Sequence, residues 1–553
     1  MSGVTSLGDL RLLPGAAEAA RAGALRNPLP VDTASAVLDH VARHAGTDGD
    51  RAAVVHGDTV VTYRGLLERV GAIRAGLLGK GCGPGDVVAV TGLRCPDIIA
   101  VLLATESLAA VYLPVDPGWP PARVSDVLTR GAARWLVDCT PSATGPVREA
   151  AARAGVEPVP LPGRTAASGG PPAAAAGDRS REPRYAIFTS GTTGRPKGAL
   201  VEHQGMMNHL WAKVLDLSLD HDDTVAFSAP LVFDIAVWQM LAPLLAGGTV
   251  AVIDDADLAF PRRLTRALSR SRVSVVELVP TVLGWLVDQV ARTGPDALAG
   301  LRWVISTGEE LRPALARRVV AGLPRARLLN AYGPTECSDD VTHQVVGAPE
   351  AALERLPVGS PVVNAVLHVL AGEGDGRWRA AAEGEPGELF VGGLPVGLGY
   401  LNDEATTRAA FFRDVIDPGS PTGRLYRTGD LARVADGRVH YLGRADRQVK
   451  VSGVRMELDE VEVVLSRHPA VGSCAVVVSG TDGSAELTAH YSPRGPVSDD
   501  ELKEHLRSRL PAAMVPGRWR SWEALPLTRN GKTDHRALRD ADAAADAGQG
   551  AAP

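Results

Sequence analysis

Short, strongly apolar runs punctuate this chain, and between them lie stretches whose apolar positions recur at helical spacing. The runs are DVVAVTGL, VYLPVD, RWLVDC, YAIFTS, TVAFSAP, TVAVID, VSVVELVP, RWVISTGE and RLLNAYG. Strands this apolar are usually buried on both faces. Their alternation with helices predicts an α/β fold of parallel or mixed sheets flanked by helices. The pattern changes after GRADRQVKVSG. There LDEVEVVLSRH and DDELKEHLRSRL read as amphipathic helices, and AVGSCAVVVSG-TDG-SAELTAHYS reads as a hairpin, which makes a small α+β domain. LPGRTAASGGPPAAAAGDRSREPR reads as an exposed, flexible connection, and the Ala- and Asp-rich tail 541–553 reads as disordered.

Composition narrows the possibilities. At 553 residues the chain is long enough for at least two domains, and 45% hydrophobic with 22% charged residues is ordinary for a globular protein. A net charge of -6 offers no general attraction to nucleic acid or anionic lipid, so neither is expected as a partner. The run DIIAVLLA is too short to span a bilayer. MSGVTSLGDLRLLPG lacks the features of a signal peptide. Cys82, Cys95, Cys139, Cys337 and Cys474 are dispersed with no CxxC pair, which predicts reduced thiols in a cytoplasmic protein.

IFTSGTTGRPKG, residues 187–198, packs three glycines among hydroxyls. A Walker P-loop needs G-x-x-x-x-G-K-[ST], and that pattern fails here. The physical logic of a phosphate loop survives: glycines let backbone N–H groups approach an anion, hydroxyls donate, and Lys197 supplies charge. A plain turn after the strand YAIF fits the loop equally well. Its company decides. NAYGPTE (330–336), YRTGDLAR (426–433), GRADRQVKVSGVRMEL (443–458) and LPLTRNGKTDHRAL (525–538) follow in order. With the loop, and over nearly the whole chain from VTYRGLLERV and YLPVDPGWPPAR to NGKTD, they resemble the adenylate-forming superfamily, most closely the amino-acid adenylation domains of nonribosomal peptide synthetases.

The resemblance implies a large N-terminal core domain over 1–442, a hinge over 443–447 that includes Asp446, and a mobile C-terminal lid over 448–540. It implies ATP and Mg²⁺ as cofactors. Thr189, Ser190, Gly191, Thr192, Thr193, Gly194 and Lys197 would hold the β- and γ-phosphates. Gly308, Glu309 and Glu310 would lie along the adenine, in a nucleotide site completed by Asn330, Ala331 and Gly333. Tyr332 would stack on the base and Thr335 would meet the α-phosphate. Asp430 would accept the ribose hydroxyls, Arg444 would contact ribose or phosphate, and Glu336 would ligate the metal. Lys532 would be the catalytic cation that lets a carboxylate approach an anionic α-phosphate, carried in and out by the lid. Two departures stand out: Ser452 and Leu398 replace arginines common in the family, which puts details of thioester-stage contacts in doubt.

The resemblance also outlines an acid-binding pocket: Asp234, Ile235, Trp238, Glu277, Ile305, Thr307, Ala331, Asp339 and Asp340. Asp234 would pair with a substrate ammonium, although it is also a good helix N-cap before IAVWQMLAPLL. Glu277 lies inside an apolar run, so a cation should meet it: a substrate group, or an internal arginine, unless it opens to solvent at the strand end. With Asp339 and Asp340 also acidic, and Ile235 and Trp238 filling volume, the expected substrate is a short basic amino acid. 2,4-Diaminobutyrate leads, with 2,3-diaminopropionate, ornithine or a β-amino relative behind it. No GGxS carrier site or HHxxxDG condensation motif appears. The expectation is therefore a stand-alone enzyme, or one cut from a larger synthetase, that loads a carrier protein in trans, with an MbtH-like helper possible. The rival readings are an acyl-CoA ligase of the same superfamily, a serine hydrolase, which would need a G-x-S-x-G motif that is missing, and a non-catalytic adenylate-binding scaffold.

Overall fold

The computed structural model describes residues 7–140, 145–163, 178–190, 195–445, 447–451, 454–479, 485–527 and 533–549. Each apolar run singled out in the sequence is a strand. Val275–Leu278 lies in a nine-stranded sheet, parallel to Thr224–Phe227 on one side and to Trp303–Ser306 on the other. Arg327–Tyr332 continues the sheet in the same sense. Val87–Thr91, Val111–Val115, Ala133–Asp138 and Pro183–Thr189 belong to a seven-stranded mixed sheet. Burial on both faces explains their uniform Val, Ile and Leu content. The main core joins the two sheets through the helices Pro96–Ser107, His203–Leu217 and Ile235–Ala246.

A third sheet, also of seven strands, is antiparallel and is built from Ala365–Gly372, Gly387–Gly393, Arg424–Ala435 and their neighbours. Its half-polar strands gave no comparable apolar signal. The C-terminal unit contains the expected hairpin, Val471–Ser479 against Glu486–Pro493, with Arg518–Ser521 added in parallel. The two expected helices are Leu458–Leu465 and Asp499–Arg507.

Two expectations need correction. The tail is not featureless: a helix runs over His535–Gln549. Asp542 on that helix is buried, accepts from the Ser479 hydroxyl, and lies 3.2 Å from His490 Nε2 and 2.6 Å from Arg520 Nε. A partner set for Asp542 scattered over separate strands is what local composition could not reveal. The predicted flexible connection falls mostly outside the described residues, but its end is buried: Arg179 donates to the Glu106 carbonyl and Arg184 donates to Glu182 at 2.7 Å. No helix among the described residues is long and apolar enough to cross a membrane. The five cysteines are free.

Candidate active site

Parallel strands present their carboxyl ends, and the turns beyond them, along one edge of a sheet. The register here aligns Glu277 with Ile305, Ile305 with Leu329, and Ser306 with Asn330. The residues that follow, Thr307 to Glu310 and Ala331 to Thr335, therefore emerge together. They line a cavity of about 500 Å³. Gly308 needs its left-handed φ of 82°. At Gly333 a Cβ would stand 1.9 Å from the Asp339 carbonyl oxygen, so only glycine fits.

On the side assigned to the nucleotide, Gly308, Glu309, Glu310, Asn330, Tyr332, Gly333, Thr335, Asp430 and Arg444 all line this cavity. Tyr332 donates from its hydroxyl to Asp430 Oδ2 at 2.5 Å, and Arg444 donates to Oδ1 at 2.7 Å. Burial and the adjacent Asp430 carboxylate push the Tyr332 hydroxyl well up, so it stays a donor. Asp430 is thus held as an oriented, twice-bonded acceptor at the cavity wall.

The residues assigned to the phosphates are arranged differently from expectation. Gly191, Thr192, Thr193 and Gly194 lie outside the described residues. Thr189, Ser190, Lys197 and Glu336 are described but do not line the cavity, because a hairpin of Gln448–Val451 and Val454–Glu457 intervenes. Ser190 Oγ donates to the Arg455 carbonyl at 3.2 Å and accepts from the Glu457 N–H at 3.1 Å. The Arg455 guanidinium reaches Glu336 Oε2 at 2.8 Å, the Tyr400 hydroxyl donates to Oε1 at 2.7 Å, and Lys197 Nζ lies 3.8 Å away. Burial alone would raise the Glu336 carboxyl, but Arg455 and Lys197 outweigh it and hold it well below the usual carboxylate range. A magnesium ion does not fit beside Arg455 in this arrangement: that guanidinium occupies the carboxylate assigned to the metal and would repel a second cation.

On the acid side, Asp234, Ile235, Thr307, Ala331 and Asp339 line the cavity. Asp234 also caps its helix, accepting from the Ile235 N–H at 3.0 Å, so the capping and ligand-facing readings hold together. Burial raises its pKa. Trp238, Glu277, Ile305 and Asp340 do not line the cavity; they are buried behind it. The cation expected at Glu277 exists, but it is neither a substrate group nor an arginine. Lys213, wholly buried on the helix His203–Leu217, places Nζ 2.5 Å from Asp340 Oδ2 and 3.8 Å from Glu277 Oε2. Trp238 Nε1 donates to Glu277 at 2.6 Å. Burial pushes Glu277 up to about 7 despite Lys213.

Residues 41–401 match the family described as AMP-binding enzyme, and residues 460–532 match the AMP-binding enzyme C-terminal domain. The chain belongs to the AMP-binding enzyme family. Among curated relatives of this AMP-binding enzyme, phosphinothricin tripeptide synthetase PhsB of Streptomyces viridochromogenes is 36% identical over 89% of the chain. Tyrocidine synthase 3 of Brevibacillus parabrevis is 32% identical over 94%. The chain spans only 41% and 8% of the length of those relatives. Among solved structures, holo-PA1221, an NRPS protein containing adenylation and PCP domains, superposes with a TM-score of 0.79 at 29% identity, covering 92% of this chain and 84% of that one.

Within the AMP-binding enzyme, Asp446, Ser452 and Lys532 lie outside the described residues. Leu527, Thr533 and Asp534, which flank Lys532, are not among the cavity residues, whereas Lys450 and Arg455 of the hairpin are. Leu398 packs at a strand junction, its N–H donating to the Leu200 carbonyl at 2.8 Å. Sequence reasoning missed Lys213, His209, Tyr400 and Arg455. A signal existed for the first two: in MMNHLWAK, His209 and Lys213 stand four apart on one face of a largely buried helix.

Proposed function

We propose that this AMP-binding enzyme activates an amino acid with ATP. The substrate carboxylate attacks the α-phosphorus, the bond to the bridging oxygen breaks, pyrophosphate leaves, and aminoacyl-AMP remains. The phosphopantetheine thiol of a carrier protein then gives up its proton and attacks the aminoacyl carbonyl carbon; the acyl C–O bond to phosphate breaks, AMP leaves, and an aminoacyl thioester remains, in line with the adenylation and PCP domains of PA1221. The observation that carries the reading is the position of Asp234. A buried carboxyl facing the same cavity as Tyr332, Asp430 and Arg444 puts an ammonium-binding group beside a nucleotide-binding wall. An acyl-CoA ligase acting on fatty or aryl acids would bring no substrate ammonium to that acid, and helix capping alone does not require it to face the cavity.

Magnesium would join Glu336 only after Arg455 withdraws. A swing of the lid about residues 443–447 would make that exchange and deliver Lys532 to the reacting oxygens. For the side chain, we infer a short amino acid with a second ammonium, 2,4-diaminobutyrate or a near relative. With Glu277 and Asp340 answered by Lys213, Asp339 takes the role first given to Glu277. It lines the cavity, its Oδ2 has only the His209 ring beside it, Nε2 at 3.2 Å without a well-formed hydrogen bond, and its φ of 97° is strained for a residue other than glycine. Burial, then Asp340 and Asp234, raise its pKa well above the ordinary value, and a substrate cation would relieve that. Pyrophosphate exchange over a panel of amino acids tests this reading. The expected result is strongest exchange with short diamino acids; strongest exchange with an aliphatic or aromatic amino acid would overturn the side-chain assignment. Exchange confined to fatty or aryl acids would overturn the function.

A further inference from the structure

Lys213 is the most unusual group near the cavity. It is fully buried in mid-helix, and its ammonium is packed over the Trp238 ring at 4.6 Å as well as against Asp340 and Glu277. Burial alone would lower its pKa, but the two carboxylates outweigh this and hold it above the ordinary value, so it is charged. The residues it meets, Trp238, Glu277 and Asp340, are those found behind the cavity wall, while Ile235, Ala331 and Asp339 form the wall itself. His343 flanks the same group, 3.4 Å from Asp340 and 2.7 Å from Asp216. His209, Asp339 and Asp340 each offer a ligand atom within 4.8 Å of the others, the spacing of a metal site. The ammonium already on Asp340 would repel a divalent ion there.

Resting on the amino-acid reading above, we propose that Lys213 is a specificity-determining residue. Its ammonium stands where the distal cation of a long basic amino acid would have to stand. It answers Glu277 and Asp340 from within the chain and closes the pocket at the depth of Ile235 and Asp339. Deleting it leaves two buried carboxylates and the volume of a lysine side chain, which is a site for the ammonium of ornithine or lysine. Lys213 touches no substrate atom; it acts by setting the depth and charge of the floor.

The test is pyrophosphate exchange by the full chain with 2,3-diaminopropionate, 2,4-diaminobutyrate, ornithine and lysine, for the wild type and Lys213→Ala. The expected result is a shift of at least about tenfold in the ratio of long to short substrates, the scale on which pocket depth discriminates. Added ethylammonium, refilling the vacated site, should restore the wild-type order. A folded Lys213→Ala enzyme with an unchanged substrate order would overturn the proposal. Should that variant fail to fold, the double variant Lys213→Ala, Glu277→Gln removes a charge of each sign while keeping the vacated volume and the Asp340 carboxylate; a shift in the same direction is expected of it, and an unchanged order would again overturn the proposal. No exchange by the wild type with any amino acid would strike the adenylation reading itself, which separates the two failures.

Discussion

Glu336 holds a negative charge where almost no water reaches, and it does so because Arg455, Lys197 and Tyr400 surround it. Glu336→Gln would leave two buried cations without a counter-charge. We expect amino-acid-dependent pyrophosphate exchange to fall by about 100-fold, the scale of losing one oriented electrostatic partner; exchange within a few-fold of wild type would contradict the role. Glu277 shows the opposite behaviour. Its pKa moves from an ordinary 4.5 up to about 7, so the folded state keeps a proton that the unfolded chain has released across that interval. Stability must therefore fall as pH rises from about 4.5 to 7, by at most roughly 1.4 kcal/mol per unit. Glu277→Gln removes this slope. Its melting temperature should gain on the wild type as pH rises through that window and then level off, whereas a constant difference across the window would refute the assignment.

At the scale of elements, the closing helix His535–Gln549 is fixed by the buried Leu538, packed on Ala475, Val477 and Leu525, and by one buried acid, Asp542. Asp542→Ala would strand His490, Ser479 and Arg520 on the sheet and should cost the C-terminal unit about 2 kcal/mol, read from its melting transition. An unchanged transition would mean that the helix docks by other means. That helix also shows what the sequence could and could not disclose. Strands such as Val275–Leu278 were legible because burial on both faces demands continuous apolar side chains. Arg424–Ala435 of the antiparallel sheet was not, since its burial partly alternates, and Gly387–Gly393, though buried throughout, is too rich in glycine to read as an apolar run. The cavity wall was legible through motifs that bring Gly308, Tyr332 and Asp430 together from distant segments. The floor was not: that Lys213 would meet Glu277 depends on a helix crossing strands more than sixty residues away in sequence, and no local pattern encodes such a crossing. The hairpin Gln448–Val451 and Val454–Glu457 was read only as part of a motif, and its position over Ser190 came from tertiary packing.

Across the whole molecule, a few contacts dock the C-terminal unit on the core. Arg123 meets Glu460 at 2.5 Å with both side chains buried, and Arg455 meets Glu336 at 2.8 Å. Removing Arg123 takes the cation from the buried Glu460 carboxylate, at a cost of about 3 kcal/mol. Arg123→Ala should loosen the docking of the C-terminal unit, seen as a longer distance between spin labels on the helices Pro121–Arg130 and Asp499–Arg507; an unchanged distance distribution would contradict the docking role. The proposed chemistry turns on Asp234 receiving a substrate ammonium beside the wall assigned to the nucleotide. Pyrophosphate exchange with the preferred amino acid and with its deamino analogue, in the wild type and in Asp234→Ala, tests that role without intermediaries. We expect a strong wild-type preference for the amino acid, at least about 100-fold, that collapses in the variant. Equal exchange with both acids in the wild type, or a preference that survives in Asp234→Ala, would contradict it.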